Sequence, residues 1–231
     1  MKICIPITAA TTQEARLKID KGFALADILE LRIDGIRKVN LRQLLKNKKG
    51  EILITNRVKE EGGAFTGREP ERVALLKKAV ALGSDYVDLE IRTSESLISE
   101  LKKTIEAYRG HTQLILSFHH QERTPSLKAL RKKIEDGYKA GADIIKIVTY
   151  ADRMEDNLKV LGLIPYAQKK GLKIIAFCMG EQGKISRVMA PLLGSYLTYA
   201  SLNKGEESAP GQLTVKEIKE VFRILKIKEQ G

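Results

Sequence analysis

A single-domain α/β fold, a (β/α)8 TIM barrel over residues 1–231, is what this sequence predicts. Three observations carry the prediction. Eight short β-rich runs alternate with amphipathic helical runs along the chain. Polar and charged residues break those runs at their C-terminal ends, where a barrel gathers its chemistry. No long Pro/Gly/Ser linker divides the 231 residues, a length near the figure of about 250 usual for one barrel. A doubly wound sheet would share the alternation. The lack of an early GxGxxG loop counts against its dinucleotide-binding form.

The strands are expected at residues 2–8, 27–32, 51–57, 85–90, 112–118, 143–148, 172–177 and 195–199. Several are nearly continuous apolar runs, as in a parallel sheet covered by helices. Ile3, Ile5 and Ile7 mark the first, and Leu172 to Phe177 the seventh. The helices between them carry local signals. Thr11 and Glu14 have the spacing of a capping box, as do Thr214 and Glu217. Thr124 followed by Pro125 reads as an N-cap and first helical position, ahead of an apolar stripe of Leu127, Leu130, Ile134 and Tyr138. Pro70 opens a helix with Val73, Leu76 and Val80 inward. Ile218, Phe222 and Leu225 repeat at helical spacing in the last helix. Gly22, Gly83, Gly141 and Gly171 sit near helix ends. Pro165 interrupts the segment 153–170.

The formal net charge is +12, which suits nucleic acid, an anionic surface or a small anionic substrate. The basic residues are scattered, from Arg37 and Lys38 through Arg42, Lys102 and Lys103 to Lys226 and Lys228, mostly among leucines and isoleucines. They read as solvated helix faces with no nucleic-acid module beside them, so no nucleic-acid partner is expected. The opening MKICIPIT reads as a strand rather than a signal peptide, and no apolar run is long enough to cross a bilayer. Cys4 and Cys178 make neither a disulfide framework nor a zinc pattern. Cytoplasmic residence is the expectation.

Each polar strand end admits a chemical and a structural reading. Glu30 and Arg32 share a face by alternation, as a binding pair for a hydroxylated acid or as an ion pair between strands. Arg57 offers a donor fork to a substrate oxygen, and Glu61 in the following EEGG can orient a histidine, unless this is only a polar turn. Asp88 and Glu90 share a face and call for basic partners. His119 and His120 point opposite ways, so one faces the centre with an imidazole suited to proton transfer, or to a structural role. Lys146, between two isoleucines, is a nucleophilic amine for a ketone or half of an interior ion pair. Arg187 can bind a carboxylate near a helix start. Ser208 to Gln212 form a polar lid or a plain surface loop.

Taken in order, these segments resemble the type I 3-dehydroquinate dehydratase family over nearly the whole chain. The pieces are Glu30 and Arg32 in ELR, Arg57 and Glu61 in NRVKEEGG, His119 in SFHH, Lys146 in GADIIKI, Arg187 in FCMGEQGKISR, and Ser208 and Gln212 in SAPGQ. The resemblance implies a hydro-lyase of the shikimate pathway that dehydrates 3-dehydroquinate through a Schiff base. It implies Lys146 as the Schiff-base lysine, His119 as the general acid/base and Glu61 as the acid that positions it. It implies Arg32, Arg57 and Arg187 as substrate-binding arginines, with Arg187 on the carboxylate. Glu30 becomes a polar-network member, and Ser208 and Gln212 closing-loop contacts. No metal or organic cofactor is implied, and a homodimer is compatible. Some relatives carry Asn-His-Asp-Phe where this chain has Phe118-His119-His120-Gln121, which bears on packing and pH response rather than on the histidine itself. Another Schiff-base barrel, such as an aldolase, is the nearest rival. A basic nucleic-acid-binding protein is the rival of a different class.

Overall fold

The computed structural model describes residues 2–226; Lys228 and the rest of 227–231 lie outside the described residues. The strands are β1 Ile3–Thr8, β2 Ile28–Arg32, β3 Glu51–Thr55, β4 Tyr86–Glu90, β5 Gln113–His119, β6 Ile144–Tyr150, β7 Lys173–Met179 and β8 Thr198–Tyr199. They form one eight-stranded sheet in the order β7-β6-β5-β4-β3-β2-β1-β8, every pair parallel. The ladder stops between β7 and β8, where the Tyr196 amide donates to the Ile174 carbonyl at 2.7 Å. The result is a nearly closed barrel.

The helices are α1 Thr12–Gly22, α2 Leu41–Leu45, α3 Glu69–Ala81, α4 Glu95–Ala107, α5 Leu127–Lys139, α6 Asp156–Leu161, α7 Leu163–Gln168, α8 Lys184–Leu192 and α9 Val215–Ile224. Strand alternation divides the core into two layers. Ile3, Ile5 and Ile7 of β1 pack outward with helix residues such as Ile19. Cys4, Ile28, Leu53, Ile115, Ile144 and Ile175 fill the inside of the barrel. The inward series then changes character toward the C-terminal strand ends. Glu30, Thr55, Asp88, Ser117 and Lys146 follow Ile28, Leu53, Tyr86, Ile115 and Ile144 two residues later on the same strands. The lower barrel is therefore an apolar plug, and the charges collect above it. Among the described residues no helix is long and apolar enough to cross a membrane.

Several local expectations need correction. The eighth strand is only Thr198–Tyr199, because Tyr196 turns to β7 and the Ser195 hydroxyl donates to the Leu197 carbonyl. Thr11 caps α1 through the Glu14 amide, but the Glu14 carboxylate reaches the amide of Ala10 instead of Thr11. Helix α5 is capped by Ser126, whose hydroxyl accepts from the Ala129 amide. Thr124 is engaged elsewhere, its hydroxyl bonded to the Tyr150 carbonyl at 2.8 Å. Tyr138 is exposed and Gly137 takes the buried place after Leu130 and Ile134, because an i, i+4, i+7 stripe passes one residue earlier. Leu225 is likewise exposed, standing at the C-cap of α9. Around Pro165 the chain forms two short helices, α6 and α7, joined at Gly162. The Thr214/Glu217 capping box forms in full.

Candidate active site

A cavity of about 190 Å³ opens at the C-terminal ends of the strands, a volume for a small molecule rather than a polymer. Glu30, Arg32, Arg57, Glu61, His119, Lys146, Arg187, Ser208 and Gln212 all line it. They come from β2, β6, the strand ends of β3 and β5, α8 and the loop after β8. Each strand contributes because its period of two turns alternate side chains inward.

Lys146 stands at the centre of a charged floor. Its Nζ lies 2.9 Å from Tyr199 Oη, 3.1 Å from Asp88 Oδ2 and 3.4 Å from Glu30 Oε1. The side chain is 5% exposed, so its charge is held by these partners rather than by water. Glu30 Oε1 also accepts the Thr55 hydroxyl at 2.8 Å. Asp88 sits between two cations, with Arg57 Nη2 at 2.8 Å on its other side. Burial opposes ionisation of Asp88, but the charges of Arg57 and Lys146 prevail and hold its carboxyl well below the ordinary range.

Both Nη groups of Arg57 are engaged with the protein. They bond Asp88, Glu90 Oε1 at 2.8 Å and the Ser117 hydroxyl at 2.7 Å. Arg72, buried on the outer side, pairs with Glu90 in turn. The parity reading of Asp88 and Glu90 thus resolves as one buried ladder of alternating charge. Arg32 and Glu30, on the same face, do not pair with each other. Arg32 instead forms a fork with Asp34, at 3.0 and 2.9 Å.

His119 faces the cavity and His120 faces away, with its ring edge on Phe118. Glu61 Oε2 receives the His119 backbone amide at 2.9 Å and lies 3.2 Å from Nδ1. That leaves Nε2 for the cavity. Glu61 reaches this place through a one-turn 3-10 helix, Lys59–Glu61, which folds back onto the strand end. Gly63 makes the fold-back possible, since a Cβ there would run into the Arg57 carbonyl. Burial raises the Glu61 carboxyl to about 7 against the pull of Arg57. Burial, with the charges of Arg57 and Lys146, pushes His119 well below its ordinary value. Both directions favour a neutral imidazole.

Arg187 is different from the other arginines. It is 1% exposed, its Nε has no hydrogen-bond partner among the described residues, and Nη2 reaches only the Pro210 carbonyl, at 3.3 Å. Its guanidinium lies over the Phe177 ring, 4.6 Å from the centroid. Burial lowers the pKa of its guanidinium to about 10. A buried, incompletely paired cation opening on a cavity is a site for an anion.

The loop 203–213 covers the cavity from one side. Ser208 donates its amide to Gln212 Oε1 at 2.8 Å, which folds the loop onto itself. The Pro210 carbonyl accepts from the Gly180 amide at 3.0 Å, fastening the loop to the end of β7. Besides Asp34, the partner of Arg32, several groups of the site were not singled out from the sequence. The Tyr199 phenol sits in a short strand with no motif, the Ser117 hydroxyl looks like an ordinary strand residue, and the Pro210 carbonyl is backbone. Among the described residues no three His, Cys, Asp or Glu side chains converge as metal ligands.

The family model for type I 3-dehydroquinase matches residues 3–229. A 3-dehydroquinate dehydratase of Desulfotalea psychrophila is 40% identical over 221 residues, covering 96% of each chain. One of Methanocaldococcus jannaschii is 37% identical, covering 98% of this chain and all of the relative. The crystal structure of the Geobacillus kaustophilus 3-dehydroquinate dehydratase superposes with a TM-score of 0.90 at 26% identity, over 99% of this chain and 92% of that one. The type I enzyme of Clostridium difficile with covalent modified comenic acid superposes with a TM-score of 0.86 at 27% identity, over 97% and 91%. A match across nearly every residue, with relatives of the same length, means that the chain belongs to the type I 3-dehydroquinase family.

Proposed function

We propose that this chain removes water from 3-dehydroquinate to give 3-dehydroshikimate in the shikimate pathway, with Lys146 as the Schiff-base nucleophile. The observation that carries the mechanism is Lys146 itself, a buried amine facing a cavity that also holds the His119 imidazole and an incompletely paired arginine. Lys146 attacks the ring ketone at C3, and the carbinolamine loses water to form an iminium. The iminium acidifies the proton on C2, which His119 Nε2 removes. The enamine then expels the C1 hydroxyl, and His119 returns its proton so that water leaves. Hydrolysis of the new iminium consumes the first water, frees the product and restores Lys146. The electron sink is the iminium, so the proposal calls on no metal or organic cofactor.

The remaining residues take roles set by their bonds. Glu61 holds His119 through Nδ1. Arg187 receives the substrate carboxylate, which satisfies its open Nε. Arg57 contributes charge rather than a free fork, because its Nη groups already serve Asp88, Glu90 and Ser117. Arg32, half-buried beside Asp34, adds a donor at the rim, and Glu30 accepts hydroxyl protons on the floor. Ser208 and Gln212 close over the bound acid.

Two wider proposals go with this reading. Cytoplasmic residence is supported by Cys4 and Cys178, which are buried free thiols. A homodimer is supported by the exposed apolar residues on and beside α6 and α8, two helices in contact: Met154 and Leu158 at the first, Ile185, Leu192 and Leu193 at the second. Sedimentation would give twice the chain mass for the native protein and a monomer for Leu158→Lys; a native monomer would rule the dimer out.

The mechanism is tested by adding borohydride to the protein with 3-dehydroquinate and mapping the adduct by peptide mass. A reduced adduct on Lys146 is expected, and Lys146→Ala should lose roughly three orders of magnitude or more in kcat. Folded, substrate-exposed protein that yields no adduct at Lys146 would sink the Schiff-base assignment.

A further inference from the structure

Tyr199 occupies the last position of β8 and points into the barrel above Cys4, to which it is paired in register. The residue is 4% exposed. Its ring packs against Phe177 at a centroid distance of 5.6 Å, and Lys146 Nζ lies 4.5 Å from its centroid. A phenylalanine would make both of those contacts. The hydroxyl adds something else: it lies 2.9 Å from Lys146 Nζ and 3.4 Å from Glu30 Oε1. Burial and the nearby Glu30 carboxylate raise the phenol well above its ordinary value, so it remains a neutral O–H.

A lysine ammonium has three N–H donors, and here each has an acceptor: Tyr199 Oη, Asp88 Oδ2 and Glu30 Oε1. Attack on a carbonyl requires the loss of one proton, which leaves two N–H groups and a lone pair in the third direction. The Glu30 contact is the longest, and Glu30 Oε1 is shared with the Thr55 and Tyr199 hydroxyls. If the proton departs along that contact, an N–H bond breaks and an O–H bond forms on Glu30, converting ammonium and carboxylate to amine and acid. Tyr199 and Asp88 then retain the other two N–H groups. The lone pair is left on the side of Glu30; Glu30 and Tyr199 line the cavity and Asp88 does not, so the pair opens on the cavity once the Glu30 O–H turns from it to the incoming carbonyl oxygen.

We infer that Tyr199 is a positioning residue for the nucleophile, its hydroxyl holding Lys146 Nζ so that the amine lone pair faces the substrate ketone. This rests on the Schiff-base reading above. A free amine held by Asp88 alone could rotate about its last bond and spend much of its time aimed away from the carbonyl. Orientation of a reacting atom acts on the rate of attack and not on the binding of the remote carboxylate.

The test is Tyr199→Phe, which keeps the ring contacts and deletes the hydroxyl. The rate of borohydride-trappable adduct formation on Lys146 and kcat should both fall about tenfold, the scale of one orienting hydrogen bond, with KM within about twofold and the unfolding midpoint little changed. A merely structural tyrosine would shift the midpoint, or kcat and KM together. Wild-type rates of trapping and turnover in Tyr199→Phe would overturn the assignment while leaving the Lys146 mechanism intact. Failure of the wild-type protein itself to form the adduct would remove both, so the two failures are distinguishable.

Discussion

His119 and Glu61 share a hydrogen bond in a place where neither charge is welcome. Burial is the main cause for both, and the nearby Arg57 and Lys146 cations press further on the imidazole. A base with a depressed value stays unprotonated as pH falls, and is lost only when pH passes through that depressed value. The acid limb of kcat/KM assigned to His119 should therefore lie clearly below pH 6.5, the ordinary histidine value. A pH-rate profile checks this, and an activity that falls with a midpoint at 6.5 would contradict it. Parts of this site were legible because strand parity is strict: it put Glu30 with Arg32 and Asp88 with Glu90 on shared faces, while Lys146 stood out as a lysine between two isoleucines. Parity could not say that Arg57 Nη groups meet Asp88, Glu90 and Ser117 and that Arg32 forks with Asp34 while Arg187 keeps its Nε open, since partner choice depends on contacts between segments far apart in sequence. Tyr199 escaped for a related reason. A tyrosine in an apolar strand carries no mark of what its hydroxyl meets.

At the scale of the element, the loop 203–213 is fastened at its centre by a backbone contact, beside the packing of Ala209 and Leu213 on the core. Gly211 has φ +73°, and a Cβ there would meet the Gly180 carbonyl. Gly180 is itself at φ +86°, so two left-handed glycines let the loop and the end of β7 approach. Gly211→Ala adds about 1–2 kcal/mol of backbone strain and blocks the contact that lets Pro210 receive the Gly180 amide. Because Arg187 also leans on the Pro210 carbonyl, kcat/KM should fall by about tenfold or more with a small change in unfolding midpoint. Limited proteolysis should show new cleavage within 203–213; unchanged kinetics and an unchanged digest would refute a docked loop. The strands themselves were easier to read. Seven of the eight lie within about two residues of their expected ends, because a buried parallel strand is a nearly unbroken apolar run. Helix boundaries were harder. Thr124 and Ser126 are equally good caps on paper, and only the proximity of the Tyr150 carbonyl decides that Thr124 is used elsewhere.

For the whole molecule, the question is what the net charge of +12 does. At the barrel floor Arg57 and Lys146 are paired with Asp88, Glu90 and Glu30, Arg72 meets Glu90 from the outer side, and Arg187 alone of these buried cations is incompletely paired. Most of the surplus is carried on the exposed lysines and arginines of the helices, and acts at a distance. A field of that sign enriches small anions near the molecule before any contact with Arg187 is made. Mobile ions shorten its reach to about 10 Å at 0.1 M and about 3 Å at 1 M salt. The buried contacts of the bound acid are much less affected. Raising potassium chloride from about 0.01 M to about 0.5 M should thus lower kcat/KM for 3-dehydroquinate severalfold through KM, with kcat nearly constant. A neutral salt series at fixed pH, with sodium sulfate as a check against specific chloride competition at Arg187, measures it. A kcat/KM independent of ionic strength would mean that the distributed surface charge contributes nothing to substrate capture. The affinity for the acid would then come wholly from the buried arginine and its neighbours.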